Sequence, residues 1–106
     1  MTEQDMELTR LAAKAAGIQL EPGTTKIVST IKTWRPLTDD GDALRLAIKL
    51  EFLVNIENCY YTNVCKEDVS VTEHIGNDGR GCIYAATRRA IVRAAAEIGK
   101  QMELNT

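Results

Sequence analysis

From Met6 to Ala16 the apolar residues (Met6, Leu8, Leu11, Ala12, Ala15 and Ala16) recur at helical spacing, and Gly17 supplies the left-handed residue that ends such a run. Thr2 followed by Asp5 resembles a capping box, with Asp in place of the usual Glu or Gln. Together these predict a helix over Glu3–Ala16. Glu21-Pro22-Gly23 is a turn signal, and Lys26 to Thr33 (KIVSTIKT) is β-branched and partly alternating, which predicts a strand. Pro36 stops that strand and biases Arg35 toward extended backbone.

A second helix is predicted over Asp42–Leu50. Its apolar residues, Ala43, Leu44, Leu46, Ala47, Ile48 and Leu50, leave only Arg45 and Lys49 as a narrow polar edge. A helix that is apolar almost all round is buried on most sides. In a small domain that calls for a sheet beneath it and a further cover, either its own chain or a second copy. From Phe52 to Cys65 the period drops to two, with Phe52, Val54, Ile56, Tyr60 and Val64 on one face of a strand. After a Lys66-Glu67-Asp68 turn, Val69, Val71 and Ile75 continue as the other arm of an antiparallel hairpin. Gly76 to Gly81 (GNDGRG) reads as loop. The last helix lies in AATRRAIVRAAAEIGKQM, with Ile91, Ala94, Ala95, Ile98 and Met102 on one face and Arg89, Arg93, Glu97 and Lys100 on the opposite one. The expected order is α-β-α-β-β-α.

Composition adds bounds rather than detail. A chain of 106 residues with 44% apolar and 26% charged residues reads as one soluble globular domain. A formal charge of −2 provides no overall basic field for nucleic acid. The first residues, MTEQDMELTR, are acidic where a signal peptide is basic and then apolar, and no apolar run approaches the roughly 20 residues of a membrane span. Three cysteines, an odd number, fit reduced thiols in a cytosolic protein better than a disulfide framework.

Two segments, WRPLTDDGDALRLAIKL (Trp34–Leu50) and YAATRRAIVRAAAEIGKQM (Tyr84–Met102), resemble the phage ABA sandwich domain of small phage- and prophage-encoded proteins. They cover about a third of the chain. The resemblance implies a small α+β domain layered as an α/β/α sandwich with a mostly antiparallel sheet, in the cytoplasm of a bacterial host. It carries no defined biochemical activity, so no catalytic residue transfers. The family tends to place Gly directly after the LAIKL-type helix, where Glu51 stands here, so this helix must end without its usual glycine stop.

Each chemical constellation has an ordinary structural explanation beside its functional one. Asp39, Asp40 and Asp42 could offer oxygens to a hard cation, but they lack the further spaced ligands of an EF-hand and serve equally to cap a helix and complement its dipole. Arg88 and Arg89 sit at a helix start, facing the positive end of its dipole. They call either for ion pairs, with Asp39, Asp40 or Glu73, or for a phosphate or acidic partner. Cys59, Cys65, His74 and Cys82 form C-x5-C-x8-H-x7-C without the tight ligand pair of structural zinc sites. On a straight strand Cys59 and Cys65 would stand roughly 20 Å apart. With one His, no nucleophile elbow and no phosphate loop, the sequence offers no enzyme constellation. Trp34 with Tyr60, Tyr61 and Tyr84 could stack single-stranded bases, or simply pack.

The functional expectation is therefore a non-enzymatic accessory protein, without cofactor or metal, that binds and blocks a host protein in the manner of anti-CRISPR proteins. The expected docking surface is Trp34, Arg35 and Pro36 with Asp39, Asp40 and Asp42, since loop Trp and Arg are common hot spots and Pro36 fixes the backbone. The competing structural role for Trp34 is a lid on the core. A homodimer through the Asp42–Leu50 helix is the alternative protein contact. A nucleic-acid binder using Arg88, Arg89, Arg93 and Lys100 is the rival class.

Overall fold

The computed structural model describes residues 2–57, 60–75 and 82–105. Helix α1 spans Glu3–Ala16, α2 Asp40–Lys49 and α3 Ile83–Leu104; strands β1 (Leu53–Glu57), β2 (Tyr61–Lys66) and β3 (Val69–His74) form one antiparallel sheet in the order β1-β2-β3. The α+β class with an antiparallel sheet stands, in the order α-α-β-β-β-α.

The ends of α1 form from local chemistry. Thr2 caps it by accepting from the Asp5 backbone N–H at 3.1 Å. Gly17 closes it in the left-handed conformation (φ 72°), its N–H and that of Ile18 returning to the carbonyls of Lys14 and Ala13. Helix α2 starts two residues before the expected Asp42, because Asp39 is the aspartate that takes the cap: its carboxylate accepts from the Asp42 N–H at 2.8 Å. At the other end Glu51 itself adopts the left-handed conformation (φ 58°) that glycine accepts most readily. Lys66 Nζ donates to the Leu50 carbonyl at 2.8 Å and caps the helix from β2.

The expected strand at Lys26–Thr33 does not form. Ser29 takes a left-handed turn (φ 64°) in its middle, and only two isolated bridges appear, Leu20 with Ile27 and Lys26 with Thr33. β-branched residues make a strand only where a partner strand accepts them; here the segment folds back on itself. It packs Ile27 against the core, as the preceding segment packs Ile18 and Leu20. The single strand expected over Phe52–Cys65 is likewise two, β1 and β2. Its predicted face survives the break because even-numbered residues pair with even ones, Val54 with Val64 and Ile56 with Thr62. The expected hairpin between β2 and β3 is present, turning through Glu67 (φ 52°) and Asp68. The GNDGRG loop lies outside the described residues.

Helix α3 is the centre of the molecule. The sheet packs on it through β2 and β3, while α1 and α2 pack on it from elsewhere. Ala90, Ile91, Val92, Ala94, Ala95 and Ala96 are all buried, so burial runs almost round the helix rather than along the single predicted stripe. At the α1 crossing the backbones approach so closely that a Cβ on Gly99 would lie 2.0 Å from the Leu11 carbonyl oxygen. Facing α3, the sheet supplies Val64, Val69 and Val71 and a buried hydroxyl pair, Thr62 with Thr87 at 2.9 Å. The opposite sheet face carries Asn55, Asn63, Thr72 and His74, with Asn63 donating to the hydroxyls of Ser70 and Thr72. No helix among the described residues is long and apolar enough to cross a membrane.

Candidate binding surface

The residues leading into α2 are drawn into the fold. Trp34 is only 5% exposed and Pro36 is buried, both as part of the interior. This corrects the expected docking surface: Trp34 is the lid of the core, and of the Trp34-Arg35-Pro36 trio only Arg35 faces solvent. The aspartates are also committed. Asp39 caps α2. Asp42 accepts from the Arg35 backbone N–H at 2.9 Å and from Arg45 Nη2 at 2.8 Å. Asp40 meets Arg88 Nη1 at 2.6 Å, and Arg88 Nε donates to the Leu37 carbonyl at 2.9 Å. The three acids thus hold the loop to α2 and α2 to α3.

The arginines of α3 have the same character. Its N-cap residue, Cys82, makes no side-chain cap, and the first turn carries no acid. The acids come from distant elements. Arg88 takes Asp40, Arg89 takes Asp5 at 3.0 Å, and Arg93 takes Glu73 of β3. The Arg89 guanidinium holds the Asp5 carboxyl below its ordinary value, chiefly through their hydrogen bond, with desolvation opposing it. Of the four residues expected to contact an anion, Arg88, Arg89 and Arg93 are paired internally, and only Lys100 meets no acid among the described residues.

The remaining sequence candidates are scattered. Cys65 is half-buried on β2 and Cys82 is exposed before α3, both as free thiols; Cys59 lies outside the described residues. His74 packs against Tyr61 with ring centroids 6.0 Å apart on the outer sheet face. Tyr60 and Tyr84 are exposed, but Trp34 is buried and presents no platform beside them.

One apolar patch does remain exposed. Helix α2 buries Ala43, Leu46 and Ala47 and turns Leu44 (59% exposed) and Ile48 (65% exposed) outward, one turn apart on one face. The chain then turns at Glu51 into β1, where Leu53 and Ile56 are also more than half exposed. Strand β1 is an edge. Its free backbone groups can be assigned. Ile75 N–H donates to the Tyr60 carbonyl, so the even residues of β2 bond toward β3 and the odd ones toward β1. In β1 the partners of those odd residues, Leu53, Asn55 and Glu57, therefore bond inward, and Val54 and Ile56 present their N–H and C=O groups at the open edge. No charged residue precedes Glu57 in this strand to block pairing with another chain. Sequence reasoning named the α2 helix as a contact but missed β1; the signal was the change to period two directly after Glu51. Comparison of the chain with family models, curated proteins and solved structures finds no match.

Proposed function

We propose that this chain is a non-enzymatic accessory protein that acts by protein–protein contact, presenting the outer face of α2 and the open edge of β1. The observation that carries this reading is the exposure of Leu44 and Ile48 on a helix whose other apolar residues are buried, since large exposed apolar groups set together mark contact surfaces. An open strand edge adds backbone pairing as a second means of holding a partner. The likeness of Trp34–Leu50 and Tyr84–Met102 to phage ABA sandwich domains supports a phage setting. In that setting the partner is a host protein and the effect is inhibition of a host defence, as with anti-CRISPR proteins.

The test is affinity purification from a bacterial host, comparing the wild-type chain with the Leu44→Lys, Ile48→Lys double variant. A host protein of defined mass should accompany the wild type and be lost from the variant at unchanged melting temperature. Recovery of nucleic acid alone, or equal recovery of the protein by the variant, would overturn the reading.

A further inference from the structure

Between α2 and the segment that precedes it lies a cavity of about 470 Å³. Its apolar lining is Ile18, Ile27, Trp34 and Leu46, and its rim carries Lys32, Arg45 and Lys49 against a single acid, Asp42. We propose that this cavity binds a small organic anion with an apolar body of one or two rings, independently of the α2–β1 contact surface. The volume falls within the range of about 300–1,000 Å³ typical of small-molecule sites, which combine apolar walls with a few placed polar groups.

The charges decide the class of ligand. Elsewhere Arg10, Lys14, Lys26, Arg88, Arg89 and Arg93 each reach a carboxylate, Lys66 reaches the Leu50 carbonyl and Arg35 the Thr25 hydroxyl, and Lys100 alone stands unpaired among the described residues. At this rim Arg45 is satisfied by Asp42 at 2.8 Å, but the ammonium groups of Lys32 and Lys49 reach no carboxylate and no other acceptor among the described residues. Two uncompensated ammonium groups at an apolar cavity in a chain of net charge −2 favour an anion there and disfavour a cation. Arg45 and Lys49 stand one turn apart on the same face of α2, so Lys49 projects beside the guanidinium. The Leu50 carbonyl at the nearby helix end is already occupied by Lys66, which removes one repulsive group from an incoming anion. A carboxylate, phosphate or sulfonate between Lys32 and Lys49 would set its apolar portion against Trp34, Ile18 and Ile27. The bland account, two solvated lysines over a surface dent, predicts no preference for charge.

Trp34 is the only tryptophan and lines this cavity, so its fluorescence responds to a dye bound there, and the Leu44/Ile48 variant separates that signal from dye bound on the outer face of α2. The probe is 1-anilinonaphthalene-8-sulfonate, with uncharged N-phenyl-1-naphthylamine as its control. The sulfonate should quench Trp34 saturably at one site per chain. Lys32→Glu with Lys49→Glu should weaken it by about tenfold or more, the scale of losing charge-assisted bonds. The single Lys32→Gln and Lys49→Gln variants should each weaken it by about threefold, which keeps the test open if the double variant folds poorly. Leu44→Lys with Ile48→Lys should leave it unchanged. Equal affinity for the uncharged control, unchanged affinity in the lysine variants, or loss in the Leu44/Ile48 variant would overturn the proposal.

Discussion

Helices α2 and α3 exchange the roles that their sequences suggest. Helix α2 is made of Leu, Ile and Ala with two cations and reads as core, yet it buries only Ala43, Leu46 and Ala47 and leaves Leu44 and Ile48 in solvent. Helix α3 carries three arginines, two glutamates and a lysine, reads as amphipathic, and is buried almost all round over residues 90–96. The difference lies in residue size. Five of the buried α3 residues over 90–96 are alanine or valine, and with Gly99 they let α1 approach at backbone distance while the sheet covers another side. Small side chains contribute little to a hydropathy pattern but allow close packing, and dense contact rather than apolar content places a helix at the centre. The leucine and isoleucine of α2 are left over because that inner position is already filled.

The largest effect should come from the inner side of α2. Trp34 is buried beside Leu46 and belongs to the core cluster. Trp34→Ala should cost about 3–5 kcal/mol in denaturant unfolding, as expected for deleting a buried aromatic group. A loss below about 1 kcal/mol would return Trp34 to the surface and revive it as a docking group. The α3 side of the comparison is broken by a single methyl. Gly99→Ala puts a Cβ against the Leu11 carbonyl, which is backbone and cannot swing away, so a cost of about 3 kcal/mol is expected even though alanine is the better helix former. Stabilisation by this substitution would show that the two helices are not in backbone contact.

The parts of the fold legible in the sequence are those set by neighbouring residues. Helix α1 runs over the predicted Glu3–Ala16 because Thr2 and Gly17 act within one turn of it. The facing parity of β1 and β2 was readable for the same reason, since alternation passes through a hairpin of matching register. What failed depended on distant partners. KIVSTIKT has the composition of a strand, but no strand lies alongside it, and Ser29 turns it back. Of the candidate groups, the aspartates before α2 were readable as caps, because a cap acts over three residues. Of the pairings of Arg88 with Asp40, Arg89 with Asp5 and Arg93 with Glu73, only the first was among the alternatives named; Asp5 lies 84 residues from Arg89 and was not. The sequence left open whether the outer side of α2 is covered by its own chain or by a second copy; that Leu44 and Ile48 are the residues left outward follows from what α3 already occupies.

A smaller effect, of opposite sign, sharpens the boundary between α2 and β1. Glu51 holds a left-handed conformation that costs a side-chain-bearing residue about 1 kcal/mol. Glu51→Gly should therefore raise stability by up to about 1 kcal/mol, offset in part by a more flexible unfolded chain. A loss of stability would mean that the Glu51 side chain contributes more than its backbone strain costs. At the start of α3, the Arg89–Asp5 pair should show in the pH dependence. The Asp5 pKa is lowered in the folded state, so its contribution is present above the ordinary carboxylate value of 3.8 and is lost as pH falls through the folded value. The stability difference between wild type and Asp5→Asn should be flat near neutrality and shrink below pH 3.8. Both partners are partly exposed, which keeps the effect small. A difference that grows on acidification would contradict the pairing.

The smallest expected effect is the most informative about α2. If Leu44 and Ile48 face solvent in the isolated chain, replacing both with lysine removes little buried area, and each change should stay within about 0.5 kcal/mol of wild type in denaturant unfolding. Lysine also keeps good helix propensity, so no local penalty masks the result. The contrast is with Leu46, on the buried side of the same helix, where Leu46→Lys should destabilise strongly by placing a charge in the core. Sedimentation of the wild type over a rising concentration series then separates the two ways of covering this face. A second copy would appear as a dimer that the double lysine variant abolishes, and its stability would rise with concentration. A foreign partner leaves the isolated wild type monomeric and as stable as the variant at every concentration. Strong destabilisation of a monomeric chain by the two lysines would show that α2 is covered on both sides by its own chain, and the outer face would cease to be a candidate surface for either.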